Sequence, residues 1–280
     1  MNILGIDFED WYHPELIQRN ITIKNPTPQV INGIDKILDW LRRNNTYATF
    51  FIVGELLQHK PELLDKIVTA GHEIAFHTMH HTNLITNGNK DEFLKELKIF
   101  DELTNKRSKG FRAPTFSLNS SNSWIIDCLV EANYHYDSSV VPAKTSMYGS
   151  PHAEQHPYKI SSTSLEKNDP NGKLIEFPLL VTRLLGKKIP TGGFYVRMLP
   201  TKIIEKAISA YEKEGIPACF YIHSWELTPE FMPKISLPVK DRFVTFHNIE
   251  KAFPRMDRLL KFFKFTSFER FLSEKNFNYN

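Results

Sequence analysis

The sequence predicts an α/β fold: a (β/α) barrel, complete or distorted. Three observations predict it. Short apolar runs alternate with stretches of helical periodicity along most of the chain. Polar clusters follow those runs, where the C-terminal ends of parallel strands would lie. The length, 280 residues, is also that of a single barrel.

The first run, Ile3–Ile6, ends in three acids, Asp7, Glu9 and Asp10. It reads as a buried strand that delivers polar groups at its end. Residues 11–28 are irregular, with Pro14, Pro26 and Pro28. Val30–Arg43 places apolar residues at helical spacing. Ala48–Val53 is a second buried strand, followed by Gly54. Pro61 opens a helix that ends at Gly71, in keeping with proline at the start and glycine just past the end. His72–Phe76 is a third strand and runs into a histidine cluster. Lys90–Thr104 is helical, Gly110–Arg112 a short strand, and Ser120 or Ser121 caps a helix through Glu131. Tyr134–Tyr136 leads to Asp137. Leu174–Phe177 and Cys219–Ile222 are further strands, with the amphipathic helix Thr201–Glu214 between them. Residues 142–157 and 161–172 read as loops. The Phe- and charge-rich stretch after Pro238 predicts a terminal helix and a strand over Phe262–Thr266. The expected organisation is one main domain, 1–236, with an extension, 237–280, packed on the same core.

Composition narrows the function. Hydrophobic residues make up 41% and charged residues 24%, which excludes disorder, collagen-like sequence and coiled coil. Lys and Arg number 35 against 32 Asp and Glu, and this net +3 is no basis for nucleic-acid binding. Cys128 and Cys219 lie in apolar runs with no CxxC pair, as expected of two buried thiols in a reducing compartment. The N-terminus shows neither a basic n-region nor a long apolar h-region, and no segment has the apolar length of a membrane span. The expectation is a cytoplasmic protein without a transmembrane segment.

Four clusters carry chemistry. His77 and His81 are four residues apart, so on a helical turn both imidazoles would face one point. Two histidines and a carboxylate with an open position make a hydrolytic metal centre. Asp7, Glu9 and Asp10 crowd three carboxylates that repel one another unless they share a cation or a proton. Arg112, after a strand, can hold a carboxylate ionised through a bidentate pair. His223, at the end of the last strong strand, is a candidate general acid.

In this order the clusters resemble the polysaccharide deacetylases of carbohydrate esterase family 4. The resemblance covers nearly the whole chain. It rests on ATFFIVG at Ala48–Gly54, on His77-Thr78 with His81, on Arg112-Ala113-Pro114 and on His223. A subgroup reading D-x-E-D at the first motif is similar at Asp7-Phe8-Glu9-Asp10. Tyr136-Asp137-Ser138-Ser139, Glu176-Phe177-Pro178 and Gly192-Gly193-Phe194-Tyr195 also look like that subgroup. The region of Phe246-His247 looks like the extension of exopolysaccharide-locus deacetylases.

The resemblance implies a distorted barrel and hydrolysis of an N-acetyl group on an amino sugar of a surface polysaccharide or its precursor. It implies Zn²⁺ or another divalent transition metal on His77, His81 and a carboxylate. Most of the family has two adjacent aspartates at the first motif. Aligning on the strand makes Asp7 the base and puts Phe8, which binds no metal, at the ligand position. The ligand is then Glu9 or Asp10. Aligning on the adjacent pair makes Glu9 the base and Asp10 the ligand. Asp7 is favoured as base, held by Arg112, with His223 protonating the leaving amine. A backbone N–H near Phe116 is expected at the oxyanion, and Tyr195 and Trp225 as walls for the sugar. Two other readings stand beside this one: an inactive carbohydrate-binding protein, and an amidohydrolase of a small non-sugar amide. The partner is an acetylated carbohydrate. The particular sugar and the oligomeric state are not legible.

Overall fold

A computed structural model describes residues 1–275; the last five positions of the expected extension, 276–280, lie outside the described residues. Eleven strands are present among them: β1 (Asn2–Phe8), β2 (Thr49–Ile52), β3 (Glu73–Phe76), β4 (Gly110–Phe111), β5 (Tyr136–Asp137), β6 (Tyr158–Ile160), β7 (Leu174–Glu176), β8 (Val181–Leu184), β9 (Lys187–Pro190), β10 (Cys219–His223) and β11 (Phe265–Thr266). The main sheet runs β10-β1-β2-β3-β4-β5-β7-β6, with β11 also paired to β1. All its pairs are parallel except β6 with β7. A single parallel bridge, Leu179 to Cys219, joins the segment after β7 to β10. The sheet thus curls into a distorted (β/α) barrel, as expected.

The strand pattern explains the two cores. Side chains alternate faces along a strand. Leu4, Ile6 and Phe8 of β1 enter the apolar layer under the helices, together with Phe50, Ile52, Phe220 and Ile222. Ile3, Phe51, Ala75, Cys219 and Tyr221 fill the barrel interior. Asp7 shares the inward face with Ile3 and Gly5. Register levels the strand ends: Asp7 pairs with His223, Phe76 with Phe111, and Phe111 with Asp137. His77, Arg112 and Ser138 therefore leave the sheet at one height, on the C-terminal rim.

Gly5 permits an unusual tenant of this interior. A Cβ there would stand 2.7 Å from Arg112 Nη1 and 2.9 Å from the Phe51 ring. The arginine lies across β1 only because no side chain is there.

The periodic helices occur over Ile34–Arg43, Glu62–Thr69, Lys90–Leu103, Trp124–Glu131 and Thr201–Lys213. The Asn89 side chain caps the third of these, accepting from the Asp91 and Glu92 amides. The tail differs from expectation. Its helix Ala252–Phe262 runs through Phe262, so the strand expected over Phe262–Thr266 shrinks to Phe265–Thr266. Phe268–Glu274 follows as a last helix. The antiparallel hairpin β8–β9 was not foreseen; Leu185 and Gly186, both at positive φ, make its two-residue turn. Also unforeseen are the short helices Gly54–His59 and Phe194–Met198. No helix among the described residues is long and apolar enough to cross a membrane.

Gly5→Ala is expected to cost about 1–3 kcal/mol through overpacking against the guanidinium. Chemical denaturation of the variant checks this; an unchanged midpoint would mean that Arg112 has room to move.

Candidate active site

At the rim a cavity of about 200 Å³ is lined by Asp7, Glu9, His77, His81, His223 and Trp225, with further residues from the surrounding loops. The sequence-predicted residues converge here, apart from Asp10 and Arg112. Arg112 lies beneath the cavity floor and acts on it through Asp7.

Glu9, His77 and His81 are buried and offer three donor atoms within 4.8 Å of one another. The histidines do not ride on a helical turn, as their spacing had suggested. Thr78 and His81 both adopt positive φ, 57° and 54°, and this irregular loop turns the imidazoles together, with ring centres 5.1 Å apart. His77 Nδ1 is 2.7 Å from the Arg112 carbonyl, which can only accept; the ring therefore donates there and presents Nε2 as a lone pair. Burial pushes the His77 pKa down to about 4, so the ring is neutral at pH 7.

Glu9 is oriented by its neighbours. Trp225 Nε1 donates to Glu9 Oε1 at 2.8 Å, and Ser224 Oγ donates to the Glu9 carbonyl at 2.5 Å. Burial opposes the Glu9 charge, but His81, His223 and His77 outweigh it and hold the carboxyl well below the usual carboxylate range. Its Oε2 lies 2.8 Å from His81 Nε2, yet has no hydrogen-bond partner. A buried carboxylate oxygen left in that state is costly. A cation shared with the two imidazoles removes the cost, and this donor set suits a divalent transition metal. The residues present fit such an ion.

Asp10, offered above as the alternative ligand, is turned away. Its oxygens accept from the amides of Trp11, Gln29 and Ile31 at 2.8–3.0 Å, so it ties the loop after β1 to the segment before the first long helix. It has no part in the three-atom cluster.

Arg112 is fully buried. Nη1 donates to Asp7 Oδ1 at 2.5 Å, Nε to the Ser138 carbonyl at 2.9 Å and Nη2 to Ser138 Oγ at 2.9 Å. The expected bidentate grip on Asp7 is therefore a single hydrogen bond, because Nε and Nη2 are both turned to Ser138. The guanidinium also sits 3.9 Å from the centre of the Phe51 ring.

On the opposite wall His223 Nδ1 donates to Glu226 Oε2 at 2.6 Å. Burial lowers the His223 pKa, but Glu226, Glu9 and Asp7 outweigh it and raise it to about 9. Its Nε2 is 3.7 Å from Glu9 Oε1. Glu226 is itself fully buried. Against the penalty of burial, Arg197 and His223 hold its pKa down. Arg197 Nε donates to Glu226 Oε1 at 2.6 Å, while its other nitrogens reach the Val244 and His247 carbonyls at 2.9 and 2.7 Å. No role was expected of Glu226 or Arg197. The His223-Ser224-Trp225-Glu226 spacing held a signal for Glu226; nothing local marks Arg197.

Tyr195 and Trp225 both line the cavity. Trp225 stacks on His223 at 5.1 Å and holds Glu9 through its N–H, so it orients a candidate ligand as well as forming a wall. Phe116 lines the cavity too, but its amide donates to the Ala113 carbonyl at 3.0 Å, so that N–H is not directed at a substrate. Thr115, the preceding residue, sits at φ 53° and also lines the cavity.

A buried carboxyl pair supports Arg112 from behind. Asp137 and Glu176 are both fully buried, and their Oδ2 and Oε2 meet no donor other than a proton held between the two carboxyls. Ser139 Oγ donates to Asp137 Oδ1 and accepts the Ala113 amide; the Val140 amide donates to Glu176 Oε1. The pair thereby fixes the turn that carries Ser138.

Residues 28–134 match the family described as polysaccharide deacetylase, and residues 138–273 match a domain of unknown function, DUF3473. A peptidoglycan-N-acetylglucosamine deacetylase of Bacillus cereus is 40% identical over 81 residues, 29% of this chain and 28% of that protein. A peptidoglycan deacetylase of Helicobacter pylori is 29% identical over 112 residues, 39% of this chain and 37% of that protein. These matches span only about a quarter to two-fifths of the relatives' length. The crystal structure of a putative polysaccharide deacetylase from Mycobacterium smegmatis superposes with a TM-score of 0.60 at 18% identity, over 98% of this chain and 90% of that one. That of a probable polysaccharide deacetylase from Pseudomonas aeruginosa gives 0.57 at 14% identity, over 98% and 93%. These two likenesses concern the fold.

Burial raises the pKa of both Asp137 and Glu176, and the neighbouring Asp137 raises that of Glu176 further. The folded state then binds more protons than the unfolded chain, so stability falls as pH rises above the ordinary carboxylate range of about 4. Glu176→Gln should reduce that fall. Urea midpoints at pH 5 and pH 8 are expected to lie closer together in the variant than in the wild type; an equal separation would mean that the pair holds no extra proton.

Proposed function

We propose, from the premise that this chain belongs to the polysaccharide deacetylase family, that it is a metal-dependent hydrolase removing an N-acetyl group from an amino sugar of a surface polysaccharide or its precursor. The observation that carries this reading is the buried Glu9, His77 and His81 cluster, open to a cavity between Asp7 and His223. Those three residues would hold a divalent ion, Zn²⁺ in this proposal, which would supply Lewis acidity toward the acetyl carbonyl and toward water.

The remaining roles fall to the chain's own groups. Asp7 accepts the proton of the attacking water. Arg112 fixes the direction of that carboxylate through the single hydrogen bond. The Thr115 amide is the proposed donor to the tetrahedral oxyanion, in place of Phe116. His223 delivers its Nε2 proton to the leaving nitrogen as the C–N bond breaks. Glu226 stabilises the imidazolium beforehand and holds its ring by Nδ1, so the acid stays loaded at neutral pH. Acetate and the free amine are the products.

The division into a catalytic unit, 1–236, and an extension, 237–280, belongs to the same proposal. Val244 and Thr245 in the cavity wall support counting the extension with the site. A cytoplasmic location is also proposed, supported by the two buried, unpaired cysteines. The intact set of acid, base and candidate ligands weighs against an inactive binding protein. The walled cavity favours one second reading, hydrolysis of a small non-sugar amide.

Elemental mass spectrometry of the purified protein tests the centre. About one divalent ion per chain is expected in the wild type and in Asp10→Asn, with loss in His77→Ala and Glu9→Gln. No metal in any of them after zinc reconstitution would overturn the mechanism. In the metal-loaded protein, Asp7→Asn and His223→Ala should each lower kcat for acetate release by about 10²–10⁴-fold while metal content stays constant.

A further inference from the structure

The two candidate metal-ligand histidines are supported in different ways. His77 donates its Nδ1 proton to the Arg112 carbonyl, and that bond fixes both ring and tautomer. No comparable bond to His81 Nδ1 is present among the described residues. Its Nε2 points into the ligand cluster, 2.8 Å from Glu9 Oε2. The His81 ring rests on two others: His77, at a steep angle with centres 5.1 Å apart, and His13, within 29° of parallel at 6.0 Å. Of these two, His13 is not itself a candidate ligand, so the outer support of His81 comes through it.

His13 is locked at both nitrogens. The Asp10 amide donates to Nδ1 at 2.8 Å, so Nε2 carries the ring proton and donates it to Glu55 Oε1 at 2.9 Å. Tyr12 Oη donates to the same oxygen at 2.8 Å, and His80 Nδ1 donates to Glu55 Oε2 at 2.7 Å. Burial opposes the Glu55 charge, but the hydrogen bonds from His13, His80 and Tyr12 outweigh it and hold the carboxyl well below the usual carboxylate range. The backbone converges on the same place. The Gly54 and Glu55 amides donate to the Thr78 and Met79 carbonyls, both at 3.0 Å. One residue, at the start of the helix after β2, thus ties the loop that carries Glu9 to the loop that carries His77 and His81. Glu55 lines a separate cavity with Tyr12, His13 and His80, outside the one lined by the candidate ligands, so it acts on the site only through these neighbours.

We infer that Glu55 is a positioning residue of the metal centre: through His13 it sets the plane of the His81 ring, and through Tyr12 and His80 it holds the two ligand-bearing loops together. This rests on the metal-dependent reading above. The requirement is one of reach. An acceptor oxygen must meet His13 Nε2, whereas a second negative charge at this distance is not what the ligands need.

The affinity of the chain for Co²⁺, read by competition with a chelating dye, tests this, with the visible spectrum of the Co²⁺ protein reporting ligand geometry. Glu55→Ala is expected to weaken Co²⁺ binding by about 10–100-fold and to alter the spectrum. Glu55→Gln keeps an acceptor oxygen for Tyr12 and His13, while His80, its side chain 60% exposed, can turn to water. That variant should stay within about threefold of the wild type. Glu55→Asp keeps the charge but draws it back by one methylene, and should behave like Glu55→Ala. Urea midpoints of the metal-free proteins identify any variant that fails to fold; the glutamine and aspartate variants then carry the comparison. Wild-type affinity and spectrum in Glu55→Asp, with or without a folded Glu55→Ala, would overturn the inference and leave the metal centre intact. A wild type that takes up neither Co²⁺ nor Zn²⁺ would overturn the metal-dependent reading, and the inference with it.

Discussion

A guanidinium in the barrel interior governs the arrangement of everything above it. Arg112 is fully buried, and a charge in that position is costly unless it is paired and its donors are satisfied. Asp7 takes one donor, Ser138 two, and the Phe51 ring faces the cation. Each of these partners imposes a further requirement. Gly5 must lack a side chain so that the guanidinium can cross β1. The turn after β5 must hold Ser138 still, and the Asp137 and Glu176 pair does so through Ser139 and Val140. The Arg112 carbonyl in turn orients His77. One residue thus fixes a candidate base and a candidate metal ligand by its two ends.

The opposite wall is built on the same logic with the signs arranged differently. Glu226 is buried between Arg197 and His223. Burial alone would discharge His223; the neighbouring carboxylates reverse that and leave it protonated near neutral pH. His77, buried without so close a carboxylate, is driven the other way, to about 4. Two histidines on one rim therefore hold different protonation states, a lone-pair donor on one side and a proton donor on the other. Arg197 also grips two carbonyls at the end of the helix Val239–Phe246, so that helix and the candidate acid share a support.

The alternation of apolar runs and helical periodicity determined the barrel, because a strand buried on both faces and a helix buried on one leave different spacings in the sequence. The strand ends determined which polar residues reach the rim. Asp7, His77, Arg112 and His223 were legible for that reason, each standing directly after an apolar run. The family motifs added the expected chemistry of hydrolysis. Glu9 and Asp10 were not separable, since both follow the same strand within two residues. Their side chains diverge through the loop's backbone, which gives Asp10 three amides and Glu9 an indole N–H.

Tertiary structure alone decided the rest. Arg197 lies 29 positions from Glu226 and some 50 from the carbonyls it holds, and no local pattern records a contact across such distances. The left-handed residues Thr78 and His81 replace a helical turn because packing, not propensity, sets the approach of the two imidazoles. What the sequence determined by itself is what short-range hydrophobic spacing encodes: the barrel, its order and the residues at its mouth. Which of those residues meet, which proton each holds and how much room is left between them were decided by long-range packing in a low-dielectric interior, where burial and neighbouring charge act together.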